Sequence, residues 1–234
     1  MTFKKGKLLS TEKNKKLYLT SNPDYICVHF TDNLNIPIKS KKTILHNKGS
    51  VNNAIASALF QFLESYHVDT YFEELYKPNE MIVRCVDVLP LEVFVWNYGF
   101  GSLQKRFSLN KNQPLPCPVV EYYHVDEKQH SYMINQDHAC AFELATLDEM
   151  QLIDRQTRKI NAVLKSFFDR RNLSLVHFQL SFGRFEDKVI LAGDISLDNC
   201  VFLDRSDESA KKSSILPLSC NEEEFLALKD RICL

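Results

Sequence analysis

The stretch that most limits what this chain can fold into is Leu173 to Asn199, "LSLVHFQLSFGRFEDKVILAGDISLDN". Val176, Phe178, Leu180 and Phe182 alternate there with His177, Gln179 and Ser181. A period of two puts the first set on one face of a strand and the second set on the other, so the segment belongs in a sheet with one face covered. A short turn led by Gly183 and a second apolar run make it a hairpin, with an Asp-rich exit at Asp194 and Asp198. The face of His177, Gln179 and Ser181 is then a working site, the remnant of one, or solvated surface.

Two helices stand out upstream. Thr146 and Glu149 have the spacing of a capping box, and Leu147, Met150, Ile153, Ile160, Val163, Leu164 and Phe167 carry a helical period to about Arg171. In "SVNNAIASALFQFLESY", Val51, Ile55, Ala58, Leu59, Phe62, Leu63 and Tyr66 recur at helical spacing, with Ser50 as N-cap. The first 45 residues read as short strands, "KKLYLTS" and "YICVHF" about a turn at Asn22-Pro23-Asp24. "MIVRCVDVLPLEVFVW" reads as two strands bent at Pro90, because proline cannot donate to a central ladder. Asn110 to Ala141, rich in proline and polar turn formers, reads as a long loop, of a length that is often functional. "RSDESAKKSS" has the composition of a linker, and "CNEEEFLALKDRICL" makes a short terminal helix.

Strands, helix, strands, helix, hairpin is an α+β order, and it predicts two lobes with a cleft between them. An antiparallel-sheet lobe of the nucleotide-binding type is expected over residues 1–95 and a larger α+β lobe over 96–204, with the linker and last helix over 205–234. A net charge of -1 gives no global field for nucleic acid or an anionic membrane, although lysines crowd the first 48 residues. No apolar run approaches the roughly 18 to 20 residues of a span, and Met1 to Lys16 is too polar for a signal peptide, so a cytoplasmic protein is expected. Seven cysteines without a C-x-x-C pair predict reduced, mostly buried thiols rather than a disulfide framework. His130, His138 and Cys140 share one segment but lack a standard metal-ligand spacing.

"HNKGSVNN" before an apolar helix, "VDVLPLEVFVWNYGFGS" before "LQKR", and the closing hairpin with its two aspartates together resemble one family. It is the SAICAR synthetases, phosphoribosylaminoimidazole-succinocarboxamide synthases, and the blocks match in order from about Lys13 to Asp198. The resemblance implies that ATP phosphorylates a ribonucleotide carboxylate and that the amine of aspartate displaces the phosphate, with Mg²⁺ as cofactor. It also implies roles. Lys13, Lys15, Arg84 and Glu92 would serve the ATP; Lys48, Asn52, Ser102, Lys105 and Arg106 the ribonucleotide; and Asp194 and Asp198 the metal, with Asp194 also catalytic. Gly49, Asn53, Asn97 and Gly101 match the same blocks.

The departures fall on the catalytic strand. Where the family pattern has Asp, Lys and Glu, this chain has His177, Gln179 and Ser181. Ile195 replaces the Glu after the metal-site Asp, Leu197 the Pro of the "SPD" turn, and Trp96 the Arg beside Asn97; no Arg follows Asp198. Removing one preorganised contact to a developing charge costs about 3 to 4 kcal/mol of transition-state stabilisation. Three readings follow: a SAICAR-synthetase-type ligase using ATP and Mg²⁺; an inactive relative that binds a nucleotide or small molecule in the cleft, or a protein partner or second copy; or a repurposed enzyme with His177 as general base.

Overall fold

The computed structural model describes residues 3–12, 14–33, 45–126, 130–206, 215–217 and 222–233. Five strands form the first sheet: β1 (Lys5–Thr11), β2 (Lys15–Thr20), β3 (Tyr25–Phe30), β4 (Phe72–Lys77) and β5 (Glu80–Arg84), all antiparallel in the order β1-β2-β3-β5-β4. Helix α1 (Lys48–Ser65) packs against β3, β4 and β5. Val51, Ile55, Leu59 and Leu63, from one face of its helical period, are buried there.

The second sheet holds β6 (Asp87–Tyr98), β7 (Pro114–Val125), β8 (Ser131–Ile134), β9 (Leu173–Phe185), β10 (Lys188–Leu191), β11 (Cys200–Asp204) and β12 (Ile215–Leu216). Their order is β12-β11-β9-β6-β7-β8, with β10 paired to β9 beside that path. Phe178, Leu180 and Phe182 bury one face of β9 as their alternation requires. The helices α2 (Gly101–Arg106) and α3 (Gln136–Ala141) are short, and α4 (Leu147–Asp169) covers β9 with Ile153, Ile160, Leu164 and Phe168. The capping box of α4 is present: Glu149 N donates to Thr146 Oγ1 at 3.2 Å and Thr146 N to Glu149 Oε2 at 2.7 Å. The last helix, α5 (Glu222–Cys233), lies against α1.

Several expectations are corrected. The α1 N-cap is Asn47, not Ser50, and Asp32 Oδ1, just beyond the end of β3, accepts from Gly49 N at 2.8 Å and caps the first turn. Gly49 is required at that point, since a Cβ there would lie 2.4 Å from the carbonyl oxygen of Phe30. The chain changes sheets at Cys85–Val86, whereas Pro90 lies inside β6 at an irregularity in its pairing with β9. All of β6, including its first residues, belongs to the second sheet.

The expected loop at Asn110 to Ala141 contains β7, β8 and α3. Its prolines mislead because the pairing of β7 with β6 jumps from Val119 to Pro114, leaving Pro116 and Pro118 where no ladder donor is needed. The hairpin turn is at Glu186-Asp187, and Gly183 stays inside β9, where a Cβ would come within 2.8 Å of Val86 Cγ2. Of the described cysteines, Cys27 and Cys200 are buried but Cys85, Cys117 and Cys233 are exposed; Cys220 lies outside the described residues.

Candidate active site

Residues of the two sheets meet at the start of β2 and the loop joining β10 to β11. That loop braces itself: Ser196 Oγ donates to Asp194 Oδ2 at 2.7 Å, Ser196 N to Asn199 Oδ1 at 2.8 Å, and Asn199 Nδ2 to the Asp194 carbonyl. Both aspartates then take cations from the other sheet and its helix. Lys15 Nζ reaches Asp194 Oδ1 at 2.5 Å and lies 3.3 Å from Glu12. Lys48 Nζ reaches Asp198 Oδ2 at 2.5 Å, Asn52 Nδ2 donates to the same oxygen at 2.8 Å, and Asn14 Nδ2 donates to it too. Burial disfavours both charges of the first pair, yet Asp194 and Glu12 outweigh it and hold Lys15 protonated above its ordinary value. Asp194 is held below its own by Lys15 and Ser196 in the same way. Burial pushes up the phenol of Tyr71, which faces this pair.

The fit of Mg²⁺ can be tested on that donor set. Mg²⁺ is usually held by one or two carboxylates together with substrate phosphates. Here both carboxylates already carry an ammonium, Glu12 lies against the first of these at 3.3 Å, and the neighbouring residue of β9 is the neutral Ser181. Among the described residues no three His, Cys, Asp or Glu side chains are grouped to hold an ion. As arranged, the set does not fit a divalent cation.

A second cluster lies on the sheet face of β6, β7 and β9. His177 pairs with Trp96 across the strands, and their rings stack with centroids 3.9 Å apart and planes 15° apart. Phe94 adds a stacked contact to His177 at 5.5 Å and a tilted one to Tyr123 at 4.6 Å. Trp96 Nε1 donates to Glu121 Oε2 at 3.0 Å, Tyr123 Oη to the same oxygen at 3.1 Å, and Arg106 to Glu121 Oε1 at 2.5 Å. His177 is only 7% exposed, and its Nδ1 lies 3.1 Å from the Val95 carbonyl. Burial pushes its pKa down to about 4, so it is a neutral packing residue and not a general base poised near pH 7. Gln179 and Ser181 continue this face, half-buried, opposite Phe94 and Glu92.

The structure therefore brings Lys15, Lys48, Asn52, Asp194 and Asp198 together, and sets His177, Gln179, Ser181 and Glu92 beside one another on the adjacent sheet. Arg84 is committed elsewhere: it lies 3.5 Å from Glu73 and donates to the Thr70 carbonyl. Ser102 and Lys105 are exposed on α2, and Arg106 turns inward to Glu121. Lys13 lies outside the described residues. Asn14, Tyr71 and Glu121 were not among the residues the sequence singled out. Only Glu121 left a signal, as an isolated charge in the apolar run "PVVEYY".

A family model for SAICAR synthetase matches residues 8–216. The chain belongs to the SAICAR synthetase family. The phosphoribosylaminoimidazole-succinocarboxamide synthase of Caldanaerobacter subterraneus subsp. tengcongensis is 37% identical over 202 residues, 86% of each chain. That of Clostridium kluyveri is 38% identical over 197 residues, 84% of each. Among solved structures, the synthase from Ehrlichia chaffeensis superposes with a TM-score of 0.88 at 28% identity, covering 97% of this chain and 98% of its own. A SAICAR synthetase in complex with ADP superposes with a TM-score of 0.86 at 31% identity, covering 95% and 96%. The α+β fold, two-lobed as in these SAICAR synthetases, is thus that of the family. Among the described residues no helix is long and apolar enough to cross a membrane.

Proposed function

We propose that this member of the SAICAR synthetase family binds an adenine nucleotide in the cleft between its sheets without joining aspartate to a ribonucleotide. The observation that carries the reading is the Trp96–His177 stack, 3% and 7% exposed. By the family resemblance these two positions hold an Arg and an Asp. A neutral aromatic pair that satisfies itself against Val95 and Glu121 offers no charge to a phosphate or a reacting amine. Gln179 and Ser181 remove two further charges from the same face. Contacts that act together in a transition state are not replaced one at a time, so little of the ligation should survive their joint loss.

Nucleotide binding rests on different residues. It is supported by Lys15, which keeps 15% of its side chain exposed beside Asp194, and by a relative of the same fold that was solved in complex with ADP. Binding without turnover is coherent physically, since ground-state contacts to phosphates do not require groups that act only in the transition state. A second reading, retained ligation, is favoured by the 37% and 38% identity to named synthases and by the retained Asp194 and Asp198.

Supplying ATP, aspartate and carboxyaminoimidazole ribonucleotide and following ADP release separates the two. The proposed function predicts saturable nucleotide binding by calorimetry and no aspartate-dependent ADP. Aspartate-dependent release that disappears in Asp194→Asn would establish the ligase instead.

A further inference from the structure

We infer that the nucleotide enters this cleft free of a divalent cation, its phosphates met by protein ammonium groups. The inference rests on the nucleotide-binding reading above and concerns the ionic form of the ligand, a metal-free nucleoside polyphosphate.

Three observations carry it. Both oxygens of Asp194 are engaged, Oδ1 by Lys15 and Oδ2 by Ser196. Asp198 is fixed from beneath: Lys48, with 1% of its side chain exposed, and the amides of Asn52 and Asn14 converge on Oδ2. Ser181 packs against the loop that carries Asp194, its Cβ only 3.0 Å from where a Cβ on Gly193 would stand. It presents a neutral hydroxyl to that loop.

A dication entering here would have to displace Lys15 from a charge-assisted contact of 2.5 Å and then sit beside that displaced cation. A phosphate has the opposite relation to the same groups. The Lys15 ammonium has three donors; Asp194 takes one at 2.5 Å, Glu12 lies 3.3 Å away, and the side chain remains partly open. For the phosphate, Asp194 is then a competitor for Lys15 rather than a bridge to a metal.

The roles invert the usual effect of deleting a carboxylate. In Asp194→Asn, Lys15 loses its closest carboxylate and keeps only Glu12 at 3.3 Å, and one negative charge is removed, so free ATP should bind about tenfold tighter, the change expected for a single close charge at intermediate screening.

The test is calorimetric titration of ATP into the full chain, once in EDTA and once in excess MgCl₂, on wild type, Asp194→Asn and Lys15→Ala. The inference predicts wild-type binding in EDTA at least as tight as in MgCl₂, tightening in Asp194→Asn, and loss in Lys15→Ala. Wild-type binding that requires Mg²⁺ overturns it, as does weakening in Asp194→Asn, and either result leaves nucleotide binding standing. Absence of binding in both buffers overturns the nucleotide-binding reading itself. The two-buffer comparison on wild type needs no variant, so a poorly folding Asp194→Asn does not blunt it.

Discussion

Acid should weaken the fold through His177 before it reaches the carboxylates. In the native state His177 has a pKa of about 4, against 6.5 for the free side chain, because burial disfavours its charged form. A base depressed in this way is neutral in the folded and unfolded chain above pH 6.5, and there it has no effect on stability. As the pH falls below 6.5 the unfolded chain takes up a proton that the folded chain refuses, and stability falls until about pH 4. For a shift of this size the loss is about 2 kcal/mol at pH 5 and approaches about 3 kcal/mol at pH 4. His177→Phe keeps an aromatic ring on Trp96 and cannot titrate. It loses the Val95 contact, which lowers stability by a constant amount, about 1 kcal/mol. Urea unfolding at pH 7.5, 6.0 and 5.0 on both proteins isolates the effect, because every other titrating group cancels in the difference. The gap between wild type and variant should shrink or reverse by about 2 kcal/mol between pH 7.5 and 5.0. Parallel curves would refute the claim that His177 is kept neutral by burial.

Carboxylate effects should appear only in stronger acid: the Arg184 guanidinium holds Glu149 at about 2, so its contribution is present above its unfolded value of 4.5 and is lost as the pH falls toward 2. Acid unfolding of Arg184→Ala should shift to higher pH than wild type. Arg106→Ala leaves Glu121, 4% exposed, without its cation and should cost about 3 kcal/mol in denaturant unfolding, whereas the exposed Lys105→Ala should stay within about 0.5 kcal/mol. Gly49→Ala drives a methyl to 2.4 Å from the Phe30 carbonyl oxygen and should cost at least about 2 kcal/mol, read as a lowered melting temperature.

What the sequence disclosed follows the range of the interactions. The α4 capping box was legible because both partners lie within four positions of one another. The α1 cap was not, because Asp32 supplies it from 17 positions away. β7 was hidden because proline is read as a breaker, and only the partner strand reveals that the missing donors face a gap in the ladder. Similarly, Lys15 and Asp194 are 179 positions apart, and only the family resemblance placed them in one site. The resemblance named those residues but not their pairing. That each aspartate meets a lysine, and that His177 stacks on Trp96 rather than facing solvent, are properties of packing between sheets.

The ion pairs at Asp194 and Asp198 are also mechanical. They run from β2 and the first turn of α1 to a loop of the other sheet, and so suture the early part of the chain to its late part. Enzymes that close over their substrates must also swing open, and release of product often sets their speed. Two buried stitches of this kind resist such a hinge. Opening the molecule there would have to part Lys15 from Asp194 and Lys48 from Asp198 before the two sheets could separate.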